Sequence, residues 1–181
     1  MNSAEISLVS TEIIYTGRRL KLVEDTLRLS NGDLIKRERV EHPGAVVMLP
    51  LLADGQVVLV RQFRRAVGRE LLELPAGTLD AGESPEICAV RELQEEIGFR
   101  PAKLQSLGEI FPAPGFCNER QYLFLATDLV ADRIACDVDE SIQVETVQPY
   151  ELRNLIDSGS IEDAKSIATI MKAVLSGMLA I

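Results

Sequence analysis

The segment covering residues 77–99 constrains the fold of this chain more than any other, because it combines a well-marked helix with clustered carboxylates. Ser84 can cap the first turn, and Pro85 suits the first helical position. Gly98 suits the residue just beyond a helix C-terminus, where the backbone often turns left-handed. The segment therefore predicts a helix from Pro85 to Ile97.

This helix should have one apolar and one acidic face, since successive residues turn by about 100°. The acidic face carries Glu92, Glu95 and Glu96. Like charges three or four residues apart repel by roughly 0.2–0.5 kcal/mol per pair, and hard divalent cations are the usual partners of such carboxylates. An ordinary solvated face is the alternative interpretation. The residues expected to face a core are Ile87, Val90, Leu93 and Ile97.

Arg91 lies beside these glutamates and can hold a carboxylate in one rotamer, and Glu83, just before the helix, is its expected partner. Residues 77–99 match the pattern G-x5-E-x7-R-E-U-x-E-E-x-G-U at every defined position, with U an apolar residue. This pattern is the Nudix box, and the chain resembles the Nudix hydrolase family. The resemblance implies cleavage of a nucleoside diphosphate linked to another moiety. It also implies a Mg²⁺ cofactor, or Mn²⁺ in its place, with two or three ions per site.

Length, composition and charge argue against nucleic-acid binding and membrane association. A chain of 181 residues that is 46% hydrophobic favours a single domain, residues 1–181, with a full core. A formal charge of −9 disfavours general nucleic-acid binding, which relies on Lys and Arg. No apolar run is long enough to span a bilayer, and the N-terminal residues lack signal-peptide features. Three widely spaced cysteines fit a reducing compartment. We therefore expect a cytoplasmic enzyme with no nucleic-acid or membrane partner.

The rest of the chain alternates strand and helix patterns. Asn31-Gly32 predicts an N-terminal antiparallel β-hairpin region, and Asp54-Gly55 predicts a second tight turn. The order of elements favours an α/β fold, with a mixed β-sheet sandwiched between α-helices, and the resemblance implies the same Nudix fold. The expected strands cover residues 13–15, 20–29, 34–40, 45–52, 57–63, 71–74, 104–111, 121–127 and 142–147, and the other helices cover residues 149–158 and 162–179.

Several short stretches resemble the ADP-ribose pyrophosphatase subgroup, so the resemblance implies hydrolysis of ADP-ribose to AMP and ribose 5-phosphate. GDP-mannose hydrolases share several of these stretches, and hydrolysis of GDP-mannose, ADP-glucose or NADH remains an alternative. A sensor that binds ADP-ribose without cleaving it is a further alternative. The stretches are residues 40–46, 61–64, 73–77 and 161–165, together with Pro114 inside the loop at residues 111–120.

The resemblance also assigns roles to individual residues. The metal ligands would be Glu92, Glu95, Glu96 and the carbonyl of Ala76, with Glu95 and Arg91 also counted as catalytic. A loop glutamate, Glu140, would act as the base, with Asp139 as the alternative in the same acidic stretch. The substrate-binding residues would be Arg64, Glu73, Pro114, Arg37 and Arg39.

For some of these residues a purely structural role is the competing interpretation. Arg64 could be solvated surface, and Glu73 could simply brace its turn. The resemblance further implies a homodimer in which the N-terminal strands, residues 1–42, help to form the partner's site. Arg37 and Arg39 would then reach the substrate of a neighbouring subunit.

Overall fold

The computed structural model describes residues 6–135 and 141–181. The chain divides into two compact units, one made of Met1–Gly44 with Phe111–Arg120 and the other of Ala45–Ile110 with Gln121–Ile181. The expectation of one domain across residues 1–181 stays a prediction. Within the described ranges, none of the helices has the length and hydropathy that a membrane crossing requires.

The first unit contains an antiparallel sheet of three strands, which confirms the expected N-terminal hairpin region. The strands are β1 (Ser7–Thr16), β2 (Lys21–Arg28) and β3 (Leu34–Glu41), in the order β1-β2-β3. Gly32 closes the β2–β3 turn with φ of +91°, a left-handed backbone conformation that favours glycine. Near the end of β3, the backbone N–H of Val40 donates to the carbonyl of Phe116 at 2.7 Å.

The second unit holds seven strands and three helices among the described residues. Its strands are β4 (Ala45–Pro50), β5 (Val57–Arg64), β6 (Arg69–Glu73), β7 (Ala76–Thr78), β8 (Phe99–Ile110), β9 (Gln121–Ala131) and β10 (Ile142–Val147). Its helices are α1 (Pro85–Glu96), α2 (Pro149–Asp157) and α3 (Ala164–Leu175).

These strands form one mixed and one antiparallel sheet. The first has the order β7-β4-β9-β8, with β4 and β9 parallel, and the second has the order β10-β5-β6. Leu51, just after β4, forms an isolated bridge with Val57 of β5, and the turn at Asp54-Gly55 leads the chain from one sheet into the other. The sequence did not predict β7, which has only three residues.

Among the described residues, two hydrophobic clusters lie on opposite faces of β4, because successive side chains of a strand point to opposite sides. Val46 and Met48 belong to the cluster that includes α1 residues, and Val47 and Leu49 belong to the cluster that includes α2 and α3 residues. All four side chains are fully buried. This arrangement confirms the predicted mixed α/β sandwich.

The start and end of α1 agree with the sequence prediction, and Leu93 and Ile97 are buried as predicted, but the rest of the buried face differs. Ser84 accepts a hydrogen bond from the N–H of Ile87, and Gly98 follows the helix with φ of +77°. The prediction that Ile87 faces the core is wrong, because its side chain is 63% exposed. The small side chains of Cys88 and Ala89 are buried in its place. Glu92 and Glu96, expected on the opposite side from the core, are also buried.

α3 is shorter than the sequence suggested, and its ends explain why. Asp163 caps the helix by accepting a hydrogen bond from the N–H of Ser166, so the helix begins at Ala164 rather than Glu162. Gly177 has φ of +74°, which ends the helix before the predicted limit of Leu179.

Candidate active site

The candidate site lies where β7 meets α1. Glu92 and Glu96 are only 9% and 5% exposed, whereas Glu95 is half-buried. The N–H of Ala76 donates to Oε2 of Glu96 at 3.1 Å, which fixes that carboxylate against the strand. A Cβ atom built on Gly77 would overlap Cδ of Glu92, so any larger residue there would displace this glutamate from its present rotamer. The short strand thus holds the Nudix-box glutamates in place.

Arg91 connects three carboxylates in this site. Its Nε and Nη2 atoms donate to the two carboxylate oxygens of Glu83, each at 2.9 Å. Its Nη1 donates to Oε1 of Glu92 at 2.7 Å and to Oε2 of Glu95 at 2.9 Å. Nη2 also donates to the carbonyl of Thr78 at 3.3 Å. The pairing of Arg91 with Glu83 agrees with the prediction from the sequence.

The same contacts set the ionisation of the neighbouring groups. The hydrogen bonds from Arg91 lower the pKa of Glu83 to about 2, so this carboxylate is charged at neutral pH. In return, donating these hydrogen bonds to Glu83 raises the pKa of Arg91. Burial raises the pKa of the Cys88 thiol well above its ordinary value. A thiol that stays protonated is a poor nucleophile, so Cys88 acts here as a packing residue.

The donor atoms of this site suit a hard divalent cation. Carboxylate oxygens are the ligands that Mg²⁺ prefers, and Glu92, Glu95 and Glu96 supply them on one helix beside β7. In the described part of the chain, no three His, Cys, Asp or Glu side chains converge on one point. Glu92 and Glu95 instead share Arg91. The residues present therefore fit a metal by chemistry and by sequence position, while their arrangement as ligands stays a prediction.

A second charged cluster surrounds Glu73, which is 1% exposed at the end of β6. Arg64 binds it with two hydrogen bonds, from Nε to Oε1 at 2.8 Å and from Nη2 to Oε2 at 2.6 Å. Nζ of Lys165 donates to Oε2 of Glu73 and, at 2.8 Å, to Oδ2 of Asp163. The hydrogen bond to Glu73 raises the pKa of Arg64. Glu73 therefore contacts two cations inside the protein.

Sequence reasoning missed Lys165, Asp163 and Ser166 as members of this cluster. The stretch from residue 161 to 165 does resemble the ADP-ribose pyrophosphatase subgroup, but that resemblance gave no role to its side chains. An additional signal was available, because aspartate is a favoured N-cap and Asp163 precedes an apolar helical pattern. The contact of Lys165 with Glu73 spans 92 positions, however, and no local pattern reveals it.

The remaining candidate residues lie in the first unit or outside the described ranges. Arg39 donates from Nε to Asp25 at 2.6 Å and from Nη1 to Glu41 at 2.9 Å. Arg37 is exposed and donates to the carbonyl of Lys36, and Pro114 is exposed in the segment Phe111–Arg120. Glu140 and its alternative Asp139 lie outside the described residues, so their role as base stays a prediction.

Comparisons of sequence and fold show which known proteins this chain is similar to. The NUDIX domain family matches residues 41–170. The chain is 37% identical over 172 residues to an ADP-ribose pyrophosphatase of Bacillus subtilis, covering 94% of this chain and 93% of that protein. It is 32% identical over 174 residues to a GDP-mannose pyrophosphatase of an Enterobacter species, covering 89% and 90%. A crystal structure described as an ADP compounds hydrolase has the same fold, with a TM-score of 0.84, 22% identity and coverage of 96% and 97%.

Proposed function

Because the chain belongs to the NUDIX domain family and is a Nudix hydrolase, we propose that it hydrolyses the pyrophosphate bond of ADP-ribose to give AMP and ribose 5-phosphate. The observation that carries the proposal is the position of Glu92 and Glu96, two buried residues of α1 that lie against β7. Two buried carboxylates are costly unless they are paired or coordinate a metal. Similarity to an ADP-ribose pyrophosphatase over nearly the full length of both chains supports this choice of substrate.

Each group of residues has a proposed task. Glu92, Glu95 and Glu96, with the carbonyl of Ala76, would hold two or three Mg²⁺ or Mn²⁺ ions. Divalent cations bound there supply charge neutralisation for the diphosphate and a lowered pKa for bound water. Arg91 keeps the carboxylates of Glu92 and Glu95 in fixed rotamers.

Outside the Nudix box, Arg64 would bind a phosphate oxygen. Glu140, or Asp139 in its place, would accept the proton of the attacking water. Replacing these two residues separately, by Glu140→Gln and Asp139→Asn, identifies the base. If only Asp139→Asn lowers kcat, the assignment to Glu140 is wrong.

The variant Glu96→Gln tests the role of the glutamate cluster. The amide oxygen of glutamine can still accept from the N–H of Ala76, so the fold should be kept while one negative charge is removed. We expect kcat to fall by about 10²-fold or more at saturating ADP-ribose, in keeping with the large effects of removing charge-stabilising groups. Glu86→Gln is the matched control, because Glu86 is exposed in the first turn of the same helix. Equal activity of both variants would contradict the proposal.

A substrate panel separates ADP-ribose from the alternatives. The similarity to a GDP-mannose pyrophosphatase makes GDP-mannose the main competitor, and ADP-glucose and NADH complete the set. The ratio of kcat/KM between two substrates measures how strongly each transition state is bound. We expect ADP-ribose to have the highest kcat/KM, and a higher value for GDP-mannose would replace the proposed substrate while leaving the Nudix chemistry intact.

We also propose that two copies pair through the N-terminal sheet. Every residue of β1 is exposed, including Leu8, Ile13 and Tyr15 at 60%, 59% and 61%. An exposed apolar strand of this kind is typical of a protein interface. Ile13→Asp should shift the mass seen by light scattering from dimer to monomer. The control Ile87→Asp changes an equally exposed residue on α1 and should leave the mass unchanged.

A further inference from the structure

We infer that Lys165 is a positioning residue that holds Arg64 ready for the diphosphate of the substrate, acting through the buried carboxylate of Glu73. This inference rests on the proposed function, since it takes Arg64 to be a phosphate-binding residue. Lys165 itself would not touch the substrate. Three observations in the second unit carry the inference.

The first observation is the orientation of Arg64. Its guanidinium uses Nε and Nη2 on Glu73, so a single buried carboxylate fixes the plane of the group. The side chain of Arg64 is nevertheless 38% exposed. A guanidinium has five N–H donors, and Arg64 uses two of them, one on Nε and one on Nη2, to bind Glu73. The donors on Nη1 can then bind an oxyanion. An arginine bound in this way is oriented before the substrate arrives.

The second observation is the position of Lys165 on the same carboxylate. Oε2 of Glu73 accepts from both Arg64 and Lys165, and the Lys165 side chain is only 12% exposed. Two cations on one carboxylate hold it in a single rotamer more firmly than one cation does. Without Lys165, Glu73 would keep one partner and could rotate together with Arg64. Disorder of Arg64 in the free protein would then have to be removed when substrate binds, which costs affinity.

The third observation is the rigid mounting of Lys165. Oγ of Ser166 donates to Asp163 and accepts from the N–H of Leu74 at 2.7 Å, so the first turn of α3 is fixed to the residue after β6. Asp163 in turn accepts from Lys165. Ser166 is fully buried. The backbone of Lys165 is thus fixed by the first turn of α3, and its Nζ is fixed by the carboxylates of Glu73 and Asp163.

Steady-state kinetics test the inference with Lys165→Met, which keeps the length of the side chain and removes its charge. We expect KM for ADP-ribose to rise by about tenfold while kcat stays within about twofold, because loss of uniform binding appears in KM alone. Lys165→Arg should restore most of the affinity, since it returns the charge. Lys172→Met is the matched control, because it makes the same change farther along α3. Equal kinetics of Lys165→Met and the wild type would overturn the inference.

A double-mutant cycle shows whether Lys165 acts through Arg64. If it does, Arg64→Gln removes the phosphate contact, and adding Lys165→Met should raise KM no further. Residues that act independently give additive effects, whereas coupled residues do not. Full additivity of the two changes in log KM would overturn the inference.

A measurement on the free protein separates this inference from the proposed function. The Nε–H of Arg64 should give a protected NMR signal in the wild type, and that signal should broaden in Lys165→Met and persist in Lys172→Met. An unchanged signal in Lys165→Met would overturn the inference even if the enzyme is active. If the wild type hydrolyses no nucleotide sugar while the signal behaves as expected, the proposed function fails and the ordering of Arg64 by Lys165 still holds. Should Lys165→Met not fold, Lys165→Gln is measured in its place.

Discussion

Replacing Gly77 by alanine should displace Glu92, because the added Cβ would lie 1.9 Å from Cδ, 2.0 Å from Oε1 and 2.3 Å from Cγ of that side chain. Glu92 can avoid the overlap only by leaving its position beside Arg91, where Oε1 now accepts at 2.7 Å. A hydrogen bond to a charged group contributes about 1.5–3 kcal/mol to stability. We therefore expect Gly77→Ala to lower the free energy of unfolding by about 1–3 kcal/mol.

Gly77→Ala should also lower activity. Changing a group that orients a metal ligand typically costs about 10–100-fold in metal affinity or activity, so the Mg²⁺ concentration for half-maximal turnover should rise by that factor. Urea denaturation and a Mg²⁺ titration of ADP-ribose hydrolysis measure the two quantities.

Two further variants establish the cause of these losses. In the background Glu92→Ala, the overlapping atoms are gone, and Gly77→Ala should then destabilise no further. Gly115→Ala is the control, because a Cβ there meets nothing within 4 Å. Wild-type stability and an unchanged Mg²⁺ dependence in Gly77→Ala would refute the placement of Glu92 against β7.

Four other predictions follow from the contacts described above. Glu83→Gln should lower the free energy of unfolding by about 1–3 kcal/mol at pH 7, because Arg91 lowers the pKa of Glu83 from 4.5 to about 2 and the neutral amide loses these charge-assisted hydrogen bonds. That stability is present above pH 4.5 and is lost as pH falls toward 2, so urea melts should show the difference from wild type shrinking to roughly half at pH 3. Asp163→Ala should lower the free energy of unfolding by about 1–2 kcal/mol through loss of the α3 cap, whereas Asp157→Ala on α2, whose carboxylate is 70% exposed, should be nearly neutral in the same assay. Leu93→Ala should cost about 2–5 kcal/mol in thermal melts, while Ile87→Ala should cost less than about 0.5 kcal/mol, and the reverse order would contradict the observed orientation of α1. EDTA should abolish turnover while leaving the far-ultraviolet circular dichroism unchanged, and full activity in EDTA would exclude a divalent cofactor.

The features of α1 that the sequence predicted correctly are all local. Its cap at Ser84, its stop at Gly98 and the pairing of Glu83 with Arg91 depend on residues within a few turns of one another, where spacing determines geometry. The prediction for the buried face of α1 was correct at Leu93 and Ile97 and wrong at Ile87, because the exact face depends on the sheets beneath. Ile87 is more hydrophobic than Cys88, yet a helix that packs closely on a sheet can do so best through its small side chains.

Long-range pairing accounts for the rest of what the sequence did not reveal. The three residues of β7 are too few to show a strand pattern, and they pair with β4 some thirty positions earlier, Ala76 facing Val47. The turn at Asp54-Gly55 was recognised, but nothing near it indicates that β4 and β5 enter different sheets. The link between Glu73 and Lys165 has the same origin, since the two residues are 92 positions apart.

The two faces of β4 have a consequence for engineering this protein. Neighbouring residues such as Val47 and Met48 lie in separate compartments, so substitutions at the two positions meet different sets of side chains. Thermostabilising substitutions are best introduced where Leu49 and its neighbours pack on α2, away from Ala76 and from the first turn of α3. The compartment beneath α1 can then keep its natural residues, and with them the positions of the glutamates that the chemistry requires.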